Sequence, residues 1–277
     1  MDYIGIDIKC GGEFSEILIA ELGEQGFDSF LETEEGLEAY CPQKEFDQAS
    51  LEEIFNRYQE GFEFSYSFKE ISKVNWNEEW EKNYDPIFVD KEIYVRATFH
   101  ESKPEFKYEI VIDPKMSFGT GHHSTTSMML VNQLAIDHTG KILLDAGTGT
   151  GILAIMATKL GAKSVIANDI DDWCKENSEE NISLNKAQNI EVKLGATPTL
   201  NFKNEQFDIV LANINKNVLL EEIPCYAQIL KNKGILVLSG FYEADLKDIE
   251  AEANTEGLTL LSYKTKNNWC SPVFKKN

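Results

Sequence analysis

Residues Leu143–Gly151 read LLDAGTGTG and carry the strongest local signal in the chain. The pattern predicts an apolar strand that brings Asp145 to a loop with glycines at 147, 149 and 151, followed by an apolar helix. Glycine lets the backbone turn sharply into the helix and lets a ligand approach closely. Open α/β sheets bind ligands at the carboxyl ends of their strands, so this loop predicts a ligand site.

Strand and helix patterns alternate from residue 141 onward, which predicts a mostly parallel sheet covered on both faces. Two further strands are predicted before this region, near 92–100 and 107–112, and two more after it, within 258–275. The alternating strands are expected near 141–146, 163–169, 190–194, 207–212 and 234–239, and the helices near 151–160, 172–186, 215–231 and 243–256.

Residues 1–71 have a different pattern, β-α-β-β-α-β, which is the order of the ferredoxin-like split unit. Phe62, Phe64, Tyr66 and Phe68 alternate with polar residues, and we expect them on a half-buried strand as part of the core. Residues 72–84 are polar, and the spacing of Trp76 and Trp80 predicts a helical linker. The predicted organisation is therefore a domain at 1–71, a linker at 72–84 and a second domain at 85–277.

The glycine loop alone does not determine the class of ligand. Gly149, Gly151 and Ala154 formally satisfy the dinucleotide pattern G-x-G-x-x-G/A. Asp145 argues against it, because an acid there would repel a pyrophosphate but suit a positive group. Asp169 follows Gly147 by 22 residues and is placed to bind two ribose hydroxyls, which NAD and S-adenosylmethionine share. The alternative role for Asp169 is to cap the next helix, but Asp171 is the better cap candidate.

Two other segments contribute candidate site residues. DPKMSFGTGHHSTT, residues 113–126, predicts an irregular loop that forms a wall or lid of the pocket, with Ser124 or Thr125 capping the next helix. His122 and His123 are adjacent and so rarely face one metal, and we predict no metal site. Asn213 ends the fourth strand of the alternating region, where its amide either bonds a ligand's amine or amino acid group or simply caps a loop.

Composition limits the function classes. The 277 residues are 42% hydrophobic with a net charge of −21, and residues 1–71 alone contain 18 acidic and 4 basic residues. Such a domain is a poor nucleic-acid binder and would steer a basic protein, unless the charge serves solubility alone. No apolar run approaches a membrane span, and the first residues lack a signal-peptide pattern. Five scattered cysteines fit a reducing cytoplasm.

DAGTGTG, Asp169 and the Asn-bearing fourth strand together resemble a class I S-adenosylmethionine-dependent methyltransferase. More specific are the acidic first domain, the Trp-x-x-x-Trp linker and the string DP-x-x-x-FGTG-x-H-x-TT. With Ala-Asn-Ile at 212–214 and Trp269-Cys270 near the end, they resemble the bacterial ribosomal protein L11 methyltransferase family over essentially the whole chain.

This resemblance implies a seven-stranded Rossmann-like α/β methyltransferase domain, preceded by a small ferredoxin-like α+β domain that grips the substrate. It implies S-adenosylmethionine as cofactor and methylation of lysine side chains and the N-terminal amino group of ribosomal protein L11, without direct nucleic-acid or membrane contact. No residue stands out as a general base, so no catalytic residue is assigned. The implied cofactor contacts are Phe118, Thr126, Gly147, Gly149, Asp169 and Asn213.

Two departures from expectation accompany the resemblance. No arginine follows Trp269-Cys270, which leaves the role of the last strand open. There is also no Asn-Pro-Pro-Tyr string, which argues against a nucleic-acid base as methyl acceptor. The alternatives are an NAD-linked Rossmann oxidoreductase, a methyltransferase acting on another basic protein, and a non-catalytic ribosome-associated binding module.

Overall fold

The protein, seen in a computed structural model, is described here at residues 3–33, 35–71, 84–113, 115 and 117–277. It divides into two compact units, Met1–Asn83 and Tyr84–Asn277. The predicted linker helix, with Trp76 and Trp80, lies outside the described residues except for Tyr84.

The first unit has the β-α-β-β-α-β element order that the sequence predicts. Its neighbouring strands are all antiparallel, in the order β2-β3-β1-β4. The likeness of this unit to ferredoxin-like domains stays a prediction. The elements are β1 (Tyr3–Lys9), α1 (Gly12–Glu24), β2 (Ser29–Thr33), β3 (Gly36–Pro42), α2 (Gln48–Tyr58) and β4 (Ser65–Ile71).

The core of the first unit lies between its helices and one face of its sheet. Phe14, Leu18 and Leu22 are buried at four-residue spacing on α1, so one helical face packs inward. Each such side chain contributes about 1.5–3 kcal/mol through burial. Asp47 caps α2 by accepting a hydrogen bond from the Ala49 amide at 3.0 Å.

The prediction that all four aromatic residues at 62–68 belong to the core is wrong for two of them. Phe62 and Phe64 pack against the core, but Tyr66 and Phe68 are each 39% exposed. Tyr66 stacks on Phe55 with ring centroids 4.3 Å apart. Because β4 is an edge strand that pairs with β1 alone among the described strands, the neighbouring rings cover these side chains only in part.

The second unit contains every strand and helix that the alternating pattern predicts, with ends within a few residues of expectation. Its elements are β5 (Ile87–Val89), β6 (Ile93–Arg96), β7 (Tyr108–Val111), α3 (Ser124–Leu134), β8 (Ile142–Ala146), α4 (Ile152–Lys159), β9 (Ser164–Asp169), α5 (Asp172–Leu184), β10 (Ile190–Leu194), β11 (Phe207–Asn213), α6 (Lys216–Ile229), β12 (Leu230–Ser239), β13 (Phe241–Tyr242), α7 (Leu246–Thr255), β14 (Leu258–Lys266) and β15 (Trp269–Lys276).

The main sheet runs β10-β9-β8-β11-β12-β15, with β14 on the far side of β15. The first five strands are parallel, and β15 and β14 are antiparallel to their neighbours. These are the seven strands expected, and the two-residue β13 pairs beside β15 as an eighth. The carboxyl ends of β10, β9, β8 and β11 therefore lie side by side, which positions the candidate site.

Both faces of this sheet are buried, as predicted for a parallel sheet. Successive residues of β8 alternate between the two cores: Leu143 packs with α3 and α4, and Leu144 packs with α6 and α7. Asp208, at the start of β11, accepts hydrogen bonds from the Ile142 amide and from Lys231, both at 2.9 Å. No helix in the described parts of the chain is long and apolar enough to cross a membrane.

The strands predicted near 92–100 and 107–112 are present but shorter, and their pairing differs from that of a simple hairpin. β6 and β7 pair in parallel, and β5, which the sequence analysis missed, adds antiparallel to β6. Residues 97–107 form the connection between β6 and β7, because parallel neighbours need a long return path.

Candidate cofactor pocket

The glycine loop between β8 and α4 requires glycine at its two central positions. Gly147 and Gly149 have φ of +67° and +55°, in the left-handed region. A Cβ on Gly147 would lie 2.3 Å from Cγ2 of Ile214, and one on Gly149 would lie 2.2 Å from the carbonyl oxygen of Phe118. Neighbouring atoms therefore leave no room for a side chain at either position, and the loop backbone stays open toward the cavity.

The segment before α3 lies directly on the glycine loop. The Thr150 amide donates to the carbonyl oxygen of Phe118 at 3.0 Å, and the Thr150 hydroxyl donates to that of Gly119 at 2.6 Å. Phe118 is 55% exposed and lines the cavity, as does His123. The prediction that this segment forms a wall of the pocket is thus confirmed by its geometry.

The cap of α3 differs from the prediction. Neither Ser124 nor Thr125 occupies the N-cap position; His123 does, and its Nδ1 accepts the Thr125 amide at 3.3 Å. A histidine ring nitrogen here replaces the usual hydroxyl or carboxylate acceptor, which propensities do not anticipate. His122 instead hydrogen-bonds the Asp85 carbonyl at 3.0 Å through Nε2. The two adjacent histidines therefore make separate structural contacts.

Three asparagines on one face of α5 hold the start of this wall by its backbone. Asn185 exchanges hydrogen bonds with both backbone groups of Val111, and Asn181 accepts from the Asp113 amide at 2.7 Å. Asn181 also donates to the Thr150 carbonyl at 3.0 Å, and Asn177 donates to the Asp113 carbonyl at 3.3 Å. The four-residue spacing of these asparagines was the available sequence signal for this ladder, which the sequence analysis missed.

Asp169 lies at the carboxyl end of β9 and lines the cavity. Its Oδ2 accepts the Gly149 amide at 2.9 Å, so the carboxylate already holds the glycine loop. Asp171, as predicted, is the cap of α5 and accepts the Trp173 amide at 2.9 Å. Oδ1 of Asp169 accepts the Asp171 amide at 3.2 Å, and each carboxylate oxygen keeps a further lone pair for a ligand.

Asn213, at the end of β11, is the counterpart of Asp169 on the other side of the glycine loop. Asn215, not Asn213, caps α6 by accepting the Val218 amide at 3.1 Å. The Asn213 side-chain nitrogen lies 3.5 Å from the hydroxyl of Thr126, and its buried Oδ1 has no partner among the described residues. The alternative that Asn213 serves as a loop cap is therefore wrong, and its amide has unused hydrogen-bonding capacity.

Asp145 was expected to suit a positive group on the ligand, which would require it to face the cavity. It does not. It is fully buried beneath the loop, where Oδ2 accepts from the Thr148 hydroxyl at 2.6 Å and the Ala154 amide at 3.1 Å. Burial raises the pKa of Asp145 to about 7, while these two hydrogen bonds oppose the rise. Its role in the structure is to tie the loop to the first turn of α4.

These strand ends enclose a cavity of about 550 Å³. Five of the six predicted contacts line it, and Thr126 stands behind Asn213. Several further lining residues were not predicted, because most of them lie on helices and loops distant in sequence from the predicted set. Trp269 is one: it stacks on Tyr242 at 4.3 Å and meets His123 edge-on at 4.7 Å, so the last strand contributes a pocket wall. The other missed residues include Ile170, Cys174, Thr197, Val218 and Glu222.

Comparisons with known proteins agree with this arrangement. The family profile described as ribosomal protein L11 methyltransferase (PrmA) matches residues 15–277. The chain is 42% identical to the ribosomal protein L11 methyltransferase of Phocaeicola vulgatus and 43% identical to that of Bacteroides fragilis. Each match spans 267 residues, 96% of this chain and 95% of the relative.

A solved structure supports the same fold. The crystal structure of the ribosomal protein L11 methylase from Lactobacillus delbrueckii subsp. bulgaricus superimposes with a TM-score of 0.65 at 29% identity. It covers 70% of this chain and 100% of that one. The class I methyltransferase fold expected from the sequence is confirmed.

Proposed function

The chain belongs to the ribosomal protein L11 methyltransferase family, and we propose that it transfers methyl groups from S-adenosylmethionine to amino groups of ribosomal protein L11. The acceptors proposed are lysine side chains and the N-terminal amino group. The observation that carries this proposal is the match of relatives along 96% of the chain, which includes both units. An NAD-linked oxidoreductase is not supported by these relatives.

The cavity residues fit S-adenosylmethionine. Gly147 and Gly149 leave backbone open where a side chain would collide, and Asn213 presents a buried amide oxygen that no group in the described part of the chain bonds. In the proposed assignment Asp169 accepts hydrogen bonds from the ribose, and Asn213 with Thr126 binds the amino acid portion. Phe118, which is half exposed at the cavity wall, packs on the bound molecule.

When bound, S-adenosylmethionine supplies a methyl group on a positively charged sulfur, and a neutral amine that takes this methyl group releases S-adenosylhomocysteine. The chain's task is to align that amine and to admit it without its proton. A lysine amine has a pKa of about 10.4 in water, and an apolar wall lowers this pKa by disfavouring the charged form. Trp269 and Phe118 provide such a wall, and we assign no general base. Alignment alone can contribute several kcal/mol.

The first unit is proposed to recognise the substrate. Residues 1–71 carry a net charge of −14, which attracts a basic protein over several ångströms and repels phosphate backbones. A basic protein other than L11 is the remaining alternative substrate. Because its substrate would be a ribosomal protein and all five cysteines are free, we place the activity in the cytoplasm.

The cofactor assignment is tested by Asp169→Ala. Two hydrogen bonds from the ribose to a carboxylate contribute about 1.5–3 kcal/mol each, so calorimetry should show at least a tenfold loss of affinity for S-adenosylmethionine. Asp169→Asn keeps one oxygen for either the Gly149 or the Asp171 amide and removes the charge, so a loss of affinity without a loss of stability is assigned to the ligand. Asp172→Ala, on an exposed residue outside the cavity, is the matched control and should leave affinity unchanged.

The substrate assignment is tested by incubating the protein with methyl-labelled S-adenosylmethionine and purified L11. Label should appear in L11, and mass spectrometry of its peptides should place it on lysines and the N-terminus. Label in other basic ribosomal proteins but not in L11 would overturn the assignment in favour of the alternative substrate.

A further inference from the structure

Glu222, on α6, is a buried carboxylate on the pocket wall that the binding scheme above does not use. It is 8% exposed and lines the same cavity as Asp169 and Gly147. The hydroxyl of Tyr226 donates to its Oε2 at 2.6 Å. Among the described residues no group donates to its Oε1 and no cation pairs with it, since Lys216 on the same helix pairs with Asp245 and Asp248.

A carboxylate in this setting is expensive to bury unless a donor reaches its second oxygen. Tyr226 cannot serve both oxygens, because a phenol donates one hydrogen. Burial, the charge of Glu222 and their hydrogen bond together raise the pKa of Tyr226 well above its ordinary value, so the phenol remains a donor. Solvent in the cavity reaches Oε1, so a ligand that displaces this water must supply a donor in its place.

The position of Glu222 indicates which part of the occupant it meets. Lining residues follow the strand order of the sheet: Thr197 follows β10, Asp169 ends β9, Gly147 follows β8 and Asn213 ends β11. α6, which carries Tyr226 and Glu222, packs against the short turn at Thr197–Leu200, and both Thr197 and Glu222 line the cavity. Glu222 thus lies on a helix that meets the turn after β10, next to the strand end that carries Asp169.

We propose that Glu222 is a specificity-determining residue for the nucleoside, whose Oε1 accepts a hydrogen bond from the exocyclic amino group of adenine. This inference rests on the proposed function, in which Asp169 holds the ribose and Asn213 the amino acid portion. The base then extends to the side of the cavity where Glu222 and Thr197 stand. An amino group is the donor that adenine offers on its exocyclic position, and a purine without it leaves the carboxylate unsatisfied.

The test measures binding by calorimetry on the full chain, with two ligands. One is S-adenosylhomocysteine; the other is its analogue in which hydrogen replaces the 6-amino group of the base. A hydrogen bond to a charged acceptor is stronger than one to a neutral acceptor. The parent should therefore prefer the amino compound by about 30-fold, and the Glu222→Gln variant should prefer it by about threefold. Glu221→Gln, an exposed neighbour outside the cavity, is the matched control and should keep the parent ratio.

Glu222→Asp provides a second variant if Glu222→Gln does not fold, because it keeps the charge but withdraws the carboxylate by one methylene. It should likewise lower the preference for the amino compound to a few-fold. A folded Glu222→Gln protein with the parent ratio would overturn the assignment of Glu222, as would a loss of methylation without a change in this ratio. Failure of the parent to bind either compound would instead overturn the proposed function.

Discussion

The glycine loop of the second unit and the acidic surface of the first unit carry functional information in opposite ways. At the glycine loop, single atoms decide: a methyl group at Gly149 would lie 2.2 Å from a neighbouring carbonyl oxygen. In residues 1–71 the signal is a sum of 18 acidic against 4 basic residues, and among those that the structure describes Glu21 and Glu35 form ion pairs. A local motif positions a small molecule, whereas a distributed charge attracts a large one, so the two regions should respond very differently to substitution.

The strongest test of this comparison separates the two units. A protein that begins at Tyr84 contains the whole second unit and should bind S-adenosylmethionine within about threefold of the parent, since compact units generally fold alone. Its methylation of L11 should fall by at least about 100-fold, because it lacks the proposed recognition surface. The measurement pairs calorimetry with a labelled-methyl assay, and undiminished methylation would remove the first unit from substrate recognition.

Gly149→Ala should show how sharply the glycine loop depends on one methyl group. The new Cβ would be forced onto the Phe118 carbonyl, so we expect at least a tenfold loss of cofactor affinity and about 3 kcal/mol or more of lost stability. Gly140→Ala is the matched control: its φ is +70°, but a Cβ there meets nothing within 4 Å.

Gly140→Ala should therefore show only the backbone penalty of about 1–2 kcal/mol and unchanged affinity. Chemical unfolding and calorimetry on both variants give the comparison. Equal effects of the two substitutions would mean that conformation alone, and not contact with the Phe118 segment, makes glycine necessary at 149.

Asp145 allows a test of the support beneath the loop by pH. In the unfolded chain the Asp145 carboxyl group loses its proton at about pH 4, whereas in the folded protein it keeps the proton up to about pH 7. Between these values the folded state binds more protons, so this residue lowers the free energy of unfolding as pH rises. Asp145→Asn has no proton to lose, and its stability relative to the parent should rise by up to about 4 kcal/mol over this window.

Asp208→Asn is the control for that titration. Burial acts to raise the pKa of Asp208, but the hydrogen bonds from the Ile142 amide and Lys231 outweigh it and hold this pKa below the ordinary value. Its contribution to stability is present above about pH 4 and is lost only below it, so the difference between Asp208→Asn and the parent should stay flat between about pH 5 and pH 7. A flat profile for Asp145→Asn as well would mean that Asp145 is ionised in the folded protein.

The smallest expected effect belongs to the acidic surface. Changing four exposed first-unit acids outside the ion pairs to Gln should slow association with L11 by about twofold to fivefold at low salt. The difference should vanish at high salt, where charges are screened beyond about 3 Å. Stopped-flow association against ionic strength measures this. The four acids are Glu24, Glu53, Glu60 and Glu63.

An equal loss of charge in the second unit is the control for that experiment. It should alter the association rate by less than about 1.5-fold if the attraction is local to the first unit. Equal slowing by both sets would mean that net charge acts as a whole, and a salt-independent rate would return the acids to a role in solubility. The control acids are Glu176, Glu205, Glu221 and Glu256.

Sequence patterns predicted what depends on periodicity and on backbone freedom. The alternating strands and helices from residue 141 onward, the glycine loop and the cap at Asp171 all follow from local rules, and each is present. The positions of Gly147, Asp169 and Asn213 also followed, because strand ends that are adjacent in the sheet must share one edge. The roles of these residues in binding remain proposals.

Features that depend on tertiary contacts were not predicted from the sequence. His123 caps α3, where a hydroxyl was expected, because its ring also packs beside Phe118 and Trp269. Asp145 points inward, since the turn into α4 brings the Thr148 hydroxyl and an amide to it. Tyr66 remains exposed because its strand lies at a sheet edge, a property of strand order that alternation in the sequence does not reveal.

The asparagine ladder of α5 has a consequence for how this protein can vary. At Val111 and Asp113, the side chains of Asn177, Asn181 and Asn185 bond main-chain atoms only, so the side chains at 111 and 113 are not part of the attachment. The wall segment can therefore accumulate sequence changes at those two positions without altering its path. The tolerance is asymmetric: the side chains at 111 and 113 are free to change, and the three asparagines that hold their backbone are not.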